Sequence, residues 1–240
     1  QEPEWLQKSY IFYEKTLLNG DAQRPEAVNW NRNRRVQITA ETEELFKTRL
    51  LRYSDWHYPA MIIHPMNEPF INDLVSSDPL YIVDESHYLL EPAQTKFNEL
   101  YQRRLRSYVI QESFEYPIFD KLPDNQFGLC FAYNHLNFRP FEIIKKYLNE
   151  IYYKLRPGGM FVLTFNDCER ANAVSLVEQN YGCYTPGYLV EQLARTFGYE
   201  IVYKYTDGGP STWIELKKPG EMTSLRGGQA LAKIMPKPVA

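Results

Sequence analysis

Short apolar runs separated by stretches of helical spacing dominate the chain from Pro59 onward. The runs at 60–63, 80–83, 107–110, 127–132 and 160–165 are rich in Ile, Val, Leu and Phe and show little polar alternation. Such runs are expected of strands buried on both faces, as in a mainly parallel sheet covered by helices. Two further strand candidates, 200–205 and 212–216, flank Asp207-Gly208-Gly209-Pro210, a turn-rich link that lets them return antiparallel. Between strands, Pro92 is read as opening a helix with Phe97, Leu100, Tyr101 and Leu105 on its apolar side. Phe141, Ile144, Leu148, Ile151 and Leu155 recur at helical spacing, and Pro157-Gly158-Gly159 is expected to end that helix. Thr185-Pro186 reads as an N-cap and first-turn pair for a helix with Leu189, Leu193 and Phe197 on one face and Gly198 past its end. Earlier in the chain, helical patterns at 5–18 and 42–51 are separated by a polar stretch rich in Asn and Arg.

This gives a helical accessory segment over 1–57, an α/β domain over 58–218, and a Gly- and Pro-containing tail over 219–240 that stays mobile or orders on a partner. With 240 residues, 44% of them hydrophobic, the chain is long enough for one sizeable core. A formal charge of -3 gives no global basic field, so nucleic-acid binding is not indicated beyond the short run Asn31-Arg32-Asn33-Arg34-Arg35. Cys130, Cys168 and Cys183 are odd in number and lack zinc-type spacing, and the histidines form no helix-spaced pair, so no metal site is expected. The cysteine usage fits a reducing, cytoplasmic or otherwise intracellular setting. No run of about 18 apolar residues and no charged-then-apolar leader is seen, so neither a membrane span nor a signal peptide is expected. A start at Gln1 without Met points to a processed or partial chain.

Four segments carry a resemblance. Leu122-Pro123-Asp124-Asn125-Gln126-Phe127 is an acidic turn before the fourth strand, and Phe131-Ala132-Tyr133-Asn134-His135-Leu136 ends that strand on polar residues. Leu155-Arg156-Pro157-Gly158-Gly159-Met160-Phe161-Val162 leads into the fifth, and Phe197-Gly198-Tyr199-Glu200 follows the last helix. Over roughly two thirds of its length the chain thus resembles the class I S-adenosylmethionine-dependent methyltransferases. The resemblance implies a Rossmann-like α/β fold, with a mainly parallel seven-stranded sheet, an antiparallel last strand and an added N-terminal helical segment. It also implies S-adenosylmethionine as cofactor, bound outside the carboxyl ends of the strands.

By the same resemblance, Asp84 accepts hydrogen bonds from the ribose hydroxyls, with Glu85 beside it as a substitute, and Glu112 meets the adenine amine. His64, Glu85, Asn134 and the two acids complete the expected cofactor-binding set. Asn134 and His135 lie where the methyl acceptor is expected, His135 as a general base because imidazole titrates near neutrality. Asn166 and Asp167 end the fifth strand and are expected to line the same cleft. The chain departs from the family after Ile63, where His64-Pro65-Met66-Asn67-Glu68-Pro69 contains no glycine. Two prolines there remove N–H donors and restrict the backbone, which is a degenerate form of the usual cofactor loop. Two readings follow. One is a methyltransferase with an unidentified acceptor, its N-terminal helices closing over the site. The other is a non-catalytic methyltransferase-like module in a larger assembly, such as a viral particle, with a protein partner meeting the N-terminal helices or the C-terminal tail.

Overall fold

The computed structural model describes residues 1–15, 38–65 and 70–222. The basic run at 31–35, positions 66–69 of the glycine-free loop and the tail from 223 onward lie outside the described residues. Among the described residues, no helix is long and apolar enough to cross a membrane.

Seven strands form one sheet: β1 (Ala60–Ile63), β2 (Leu80–Asp84), β3 (Leu105–Val109), β4 (Phe127–Ala132), β5 (Leu155–Asn166), β6 (Glu200–Tyr205) and β7 (Ser211–Lys217). They lie in the order β3-β2-β1-β4-β5-β7-β6. The first five are parallel to their neighbours, whereas β7 runs antiparallel between β5 and β6, with Leu163 opposite Ile214. This is the expected mainly parallel, Rossmann-like sheet. The central strands β1 and β4 are buried at every position, which is why their runs lack polar alternation.

Successive residues point to opposite faces and divide the core in two. Met61, Cys130 and Phe161 face one layer, where α1 (Glu2–Tyr13), α5 (Phe141–Lys154) and α7 (Gly187–Thr196) pack through Tyr13, Ile144, Tyr147 and Val190. Ile62, Phe131 and Val162 face the other, covered by α2 (Ala40–Leu51) through Phe46 and Leu50, and by α3 (His87–Gln94) through Leu90. The two helices of the accessory segment therefore join opposite faces of a shared core. At the other end, Tyr58 Oη donates to Met222 O at 3.4 Å, so the chain packs on the sheet as far as Met222.

Several local expectations need correction. Pro92 lies inside α3, which starts earlier because Ser86 caps it, its Oγ accepting the Tyr88 N–H at 3.2 Å. The face expected to follow Pro92 is broken up: Leu100 sits 75% exposed in the short helix α4 (Glu99–Gln102), and Leu105 begins β3. Helix α5 ends at Lys154, before Pro157-Gly158-Gly159, because Leu155 is already extended at ψ 140°. That turn is instead an irregularity within β5, where the register with β4 shifts and Gly158 takes φ +79°. Pro186, not Thr185, caps α7, and its buried side is Val190 and Ala194 rather than Leu189. Helix α6 (Ala171–Glu178) had no expected counterpart.

Candidate functional site

Parallel register brings the ends of β1, β2, β3 and β4 to one edge of the sheet. Ile63 pairs with both Val83 and Ala132, so His64, Asp84 and the Asn134-His135 pair emerge together. His64 and Asn134 take left-handed backbone conformations, φ 59° and 51°. Such conformations are uncommon without glycine and tend to cluster at functional edges.

His64 Nδ1 lies 2.9 Å from Asp84 Oδ2, and Asp84 Oδ1 accepts the Glu85 N–H at 2.8 Å. Both side chains are buried, 2% and 1% exposed. Glu112, three residues past β3, is buried rather than solvated and is the centre of a second cluster. Arg139 Nε donates to its two oxygens at 2.7 and 3.0 Å, and Tyr147 Oη donates to Oε2 at 2.7 Å. From α1, Tyr13 Oη reaches Oε1 at 3.5 Å. Arg139 Nη2 also donates to Glu85 Oε1 at 2.9 Å, joining the ends of β2 and β3 through one guanidinium. A fork of fixed N–H donors suits such a bridge, and the carboxylates offset the cost of burying the cation.

The charges follow from these contacts. Burial and the neighbouring Glu112 carboxylate push the Glu85 carboxyl up to about 7. Burial acts the same way on Glu112, but Arg139 and hydrogen bonds from Glu85 and Tyr147 outweigh it and hold that group below the usual carboxylate range. Burial, Arg139 and His64 push His135 well below the ordinary imidazole range, so its ring is neutral at pH 7. Tyr147 spends its proton on Glu112, and His135 Nε2 stands 2.9 Å from the Tyr147 oxygen. Nε2 must therefore be the protonated nitrogen, donating to Tyr147. His135 Nδ1 is then a bare acceptor, buried and without a hydrogen-bond partner among the described residues, and the donor Arg139 Nη1 is likewise without one.

The structure thus gathers His64, Asp84, Glu85, Glu112 and His135. It directs Asn134 elsewhere: its N–H donates to Thr164 Oγ1 at 2.7 Å, and the residue lines a recess shared with α2 and the β6–β7 turn. Asn166 and Asp167 also turn from the His135 cluster, Asn166 to Ala173 O and Cys183 O, Asp167 to Thr212. Arg139, Tyr147 and Tyr13 were not anticipated. The only signal for Arg139 was a single cation in the apolar stretch between Leu136 and Ile144.

In kind, these groups fit an S-adenosylmethionine-type ligand. After their present contacts the Asp84 oxygens keep lone pairs for hydroxyl donors, and two nitrogens with no partner among the described residues, one acceptor and one donor, lie in the same cluster.

No family model and no curated protein matches the chain. Solved structures do. A SAM-dependent methyltransferase from Aquifex aeolicus is 14% identical, with 81% of this chain and 98% of that one covered and a TM-score of 0.54. The N-methyltransferase NodS from Bradyrhizobium japonicum WM9, in complex with S-adenosyl-L-homocysteine, is 14% identical over 74% of this chain and 88% of its own, with a TM-score of 0.53. The [4+2]-cyclase SpnF is 12% identical over 73% and 80%, with a TM-score of 0.56, an instance of this architecture under another reaction name. At these identities the likeness is one of fold, and the fold is the Rossmann-like fold of the class I methyltransferases.

Proposed function

We propose that this chain binds S-adenosylmethionine at the carboxyl ends of β1, β2 and β3 and serves methyl transfer to an acceptor that meets the end of β4. The observation that carries the reading is His135: a neutral, buried imidazole whose Nε2 is committed to Tyr147 and whose Nδ1 lone pair has no partner among the described residues. A lone pair of this kind would serve to take a proton from an acceptor hydroxyl or amine. Asp84, oriented by His64, would hold the ribose hydroxyls, and Glu112 the adenine amine. When bound, the cofactor supplies an already activated methyl group, so the protein's part is alignment and proton removal. The helices of 1–57 would close over the acceptor.

The second reading is a non-catalytic module, in which the Arg139 bridge to Glu85 and Glu112 serves only to tie the ends of β2 and β3 together. Titration calorimetry with S-adenosylhomocysteine separates the two. Saturable binding supports the first reading; no heat at millimolar ligand would leave the second.

A further inference from the structure

A carboxylate offers about four lone-pair sites. Those of Glu112 already meet Arg139 Nε at 2.7 and 3.0 Å, Tyr147 Oη at 2.7 Å and Tyr13 Oη at 3.5 Å, and Glu85 adds a hydrogen bond. A further N–H can reach this carboxylate only by replacing one of these donors. Arg139 is held a second time by Glu85, and Tyr147 by His135. Tyr13 makes the longest contact, at the outer limit of a hydrogen bond, and is the donor that can be given up.

The rest of Tyr13 points the same way. Its fully buried ring meets Phe114 edge-on at 5.6 Å, and Phe114 is 40% exposed, so the tyrosine reaches from beneath a surface residue to the Glu112 carboxylate. A phenol presents to that carboxylate what an aminopurine would, a flat aromatic body with a polar hydrogen at its rim. Ser9 and Tyr13 are the buried residues of α1. Ser9 is tied to the segment before α7, its Oγ accepting the Tyr184 N–H at 2.7 Å. The helix thus has an anchor at Ser9 and, one turn further on, a side chain in the candidate site.

We propose that Tyr13 occupies the place of the ligand's adenine on Glu112, so that the last turn of α1 is a latch that swings out from the Ser9 anchor when the cofactor binds. The latch rests on the reading above, in which Glu112 meets the adenine amine. A closed latch lowers the apparent affinity by the fraction of molecules in which it is open. The test is calorimetry with S-adenosylhomocysteine on the full chain, on Tyr13→Ala and on Tyr13→Phe, in the cold to keep the less stable variant folded. Hydrogen exchange of the parent's amides at 10–13, with and without the same ligand, is measured alongside. Tyr13→Ala should bind about tenfold more tightly than the parent, or better, and Tyr13→Phe, which keeps the ring, should gain less. Saturating ligand should speed exchange at 10–13. An affinity in Tyr13→Ala no higher than the parent's, or exchange slowed or unchanged by ligand, would overturn the latch and leave the cofactor site standing. If Tyr13→Ala does not fold, the parent's exchange decides. Heat from Tyr13→Ala with a silent parent would support both site and latch, whereas no heat from any of the chains removes the cofactor reading and the latch with it.

Discussion

Asp84 is 1% exposed and already accepts from two groups of the protein, so under the proposed reading ligand hydroxyls would meet a carboxylate oriented in advance. Loss of a charge-assisted hydrogen bond typically costs about 1.5–3 kcal/mol. Asp84→Ala should therefore weaken S-adenosylhomocysteine about ten- to hundredfold by calorimetry; an unchanged dissociation constant would remove Asp84 from the site. Glu85 carries a prediction that needs no ligand. Its folded pKa of about 7 lies above the ordinary glutamate value of 4.5, so between these values the folded chain holds a proton that the unfolded chain has released. This contribution is fully present below the unfolded value and is lost as pH rises through about 7, amounting to roughly 3 kcal/mol. His135 acts oppositely, its contribution falling away as pH drops below the ordinary imidazole value. Glu85→Gln should accordingly match the parent in urea unfolding near pH 4 and gain on it by up to about 3 kcal/mol at pH 8. Parallel pH profiles for the two proteins would show that the carboxyl is not held neutral. Asp84, His64 and His135 were legible in the sequence because strand ends follow from apolar runs and parallel register brings such ends together. Arg139 and Tyr147 were not, since their meeting with Glu112 depends on how α5 is rotated and how 135–139 turns into it.

The elements fared unevenly for reasons that are local and physical. The buried strands β1, β2 and β4 announce themselves by continuous apolar runs, and Phe127–Ala132 matches its expected bounds. Pro92 misled because proline marks a first helical turn in general, whereas Ser86 supplies a side-chain cap here and the helix starts at His87. Helix α2 shows how an accessory element is tied to the sheet. Glu215 of β7, fully buried, accepts from Arg49 Nε at 3.0 Å and Nη2 at 2.6 Å, from Tyr53 Oη at 2.5 Å and from Trp213 Nε1 at 2.8 Å. Arg49 also stacks over Tyr203 at 3.8 Å. None of this was readable in advance, because an acid within the β7 pattern gives no hint of which helix supplies its cation. Removing one partner of a buried pair leaves the other charge uncompensated, so Arg49→Ala should cost roughly 3 kcal/mol in chemical denaturation. Arg49→Lys should recover only part of it, because an ammonium cannot reproduce the two-pronged contact or the ring stacking. A loss under about 0.5 kcal/mol in Arg49→Ala would mean that water, not arginine, satisfies Glu215.

At the scale of the whole molecule, the accessory helices α1 and α2 pack into the two core layers of the sheet, and α1 reaches the candidate site. Tyr13 is fully buried in the core layer with Tyr147 and Leu148, and its hydroxyl faces Glu112. Ser9 Oγ accepts the Tyr184 N–H at 2.7 Å, and Trp5 lies 5.2 Å from the Tyr184 ring, so α1 also fixes the segment leading into α7. Helical spacing over 5–18 points to a helix, found over Glu2–Tyr13 with 16–18 outside the described residues, but not to its covering the Glu112 cluster, a contact 99 residues apart in sequence. The ring and the hydroxyl of Tyr13 can be separated. Truncating a large buried aromatic costs about 3–5 kcal/mol, whereas the hydroxyl's contact with the Glu112 carboxylate, at 3.5 Å, is at the outer limit of a hydrogen bond and contributes about 1 kcal/mol or less. Tyr13→Ala should therefore lower the melting temperature by roughly 10 °C, at about 2–4 °C per kcal/mol for a chain of this size, while Tyr13→Phe should change it by no more than a few degrees. If Tyr13→Ala melted with the parent, α1 would be an appendage rather than part of the core. If Tyr13→Phe fell as far as Tyr13→Ala, the Glu112 contact and not the buried ring would be what holds the helix in place.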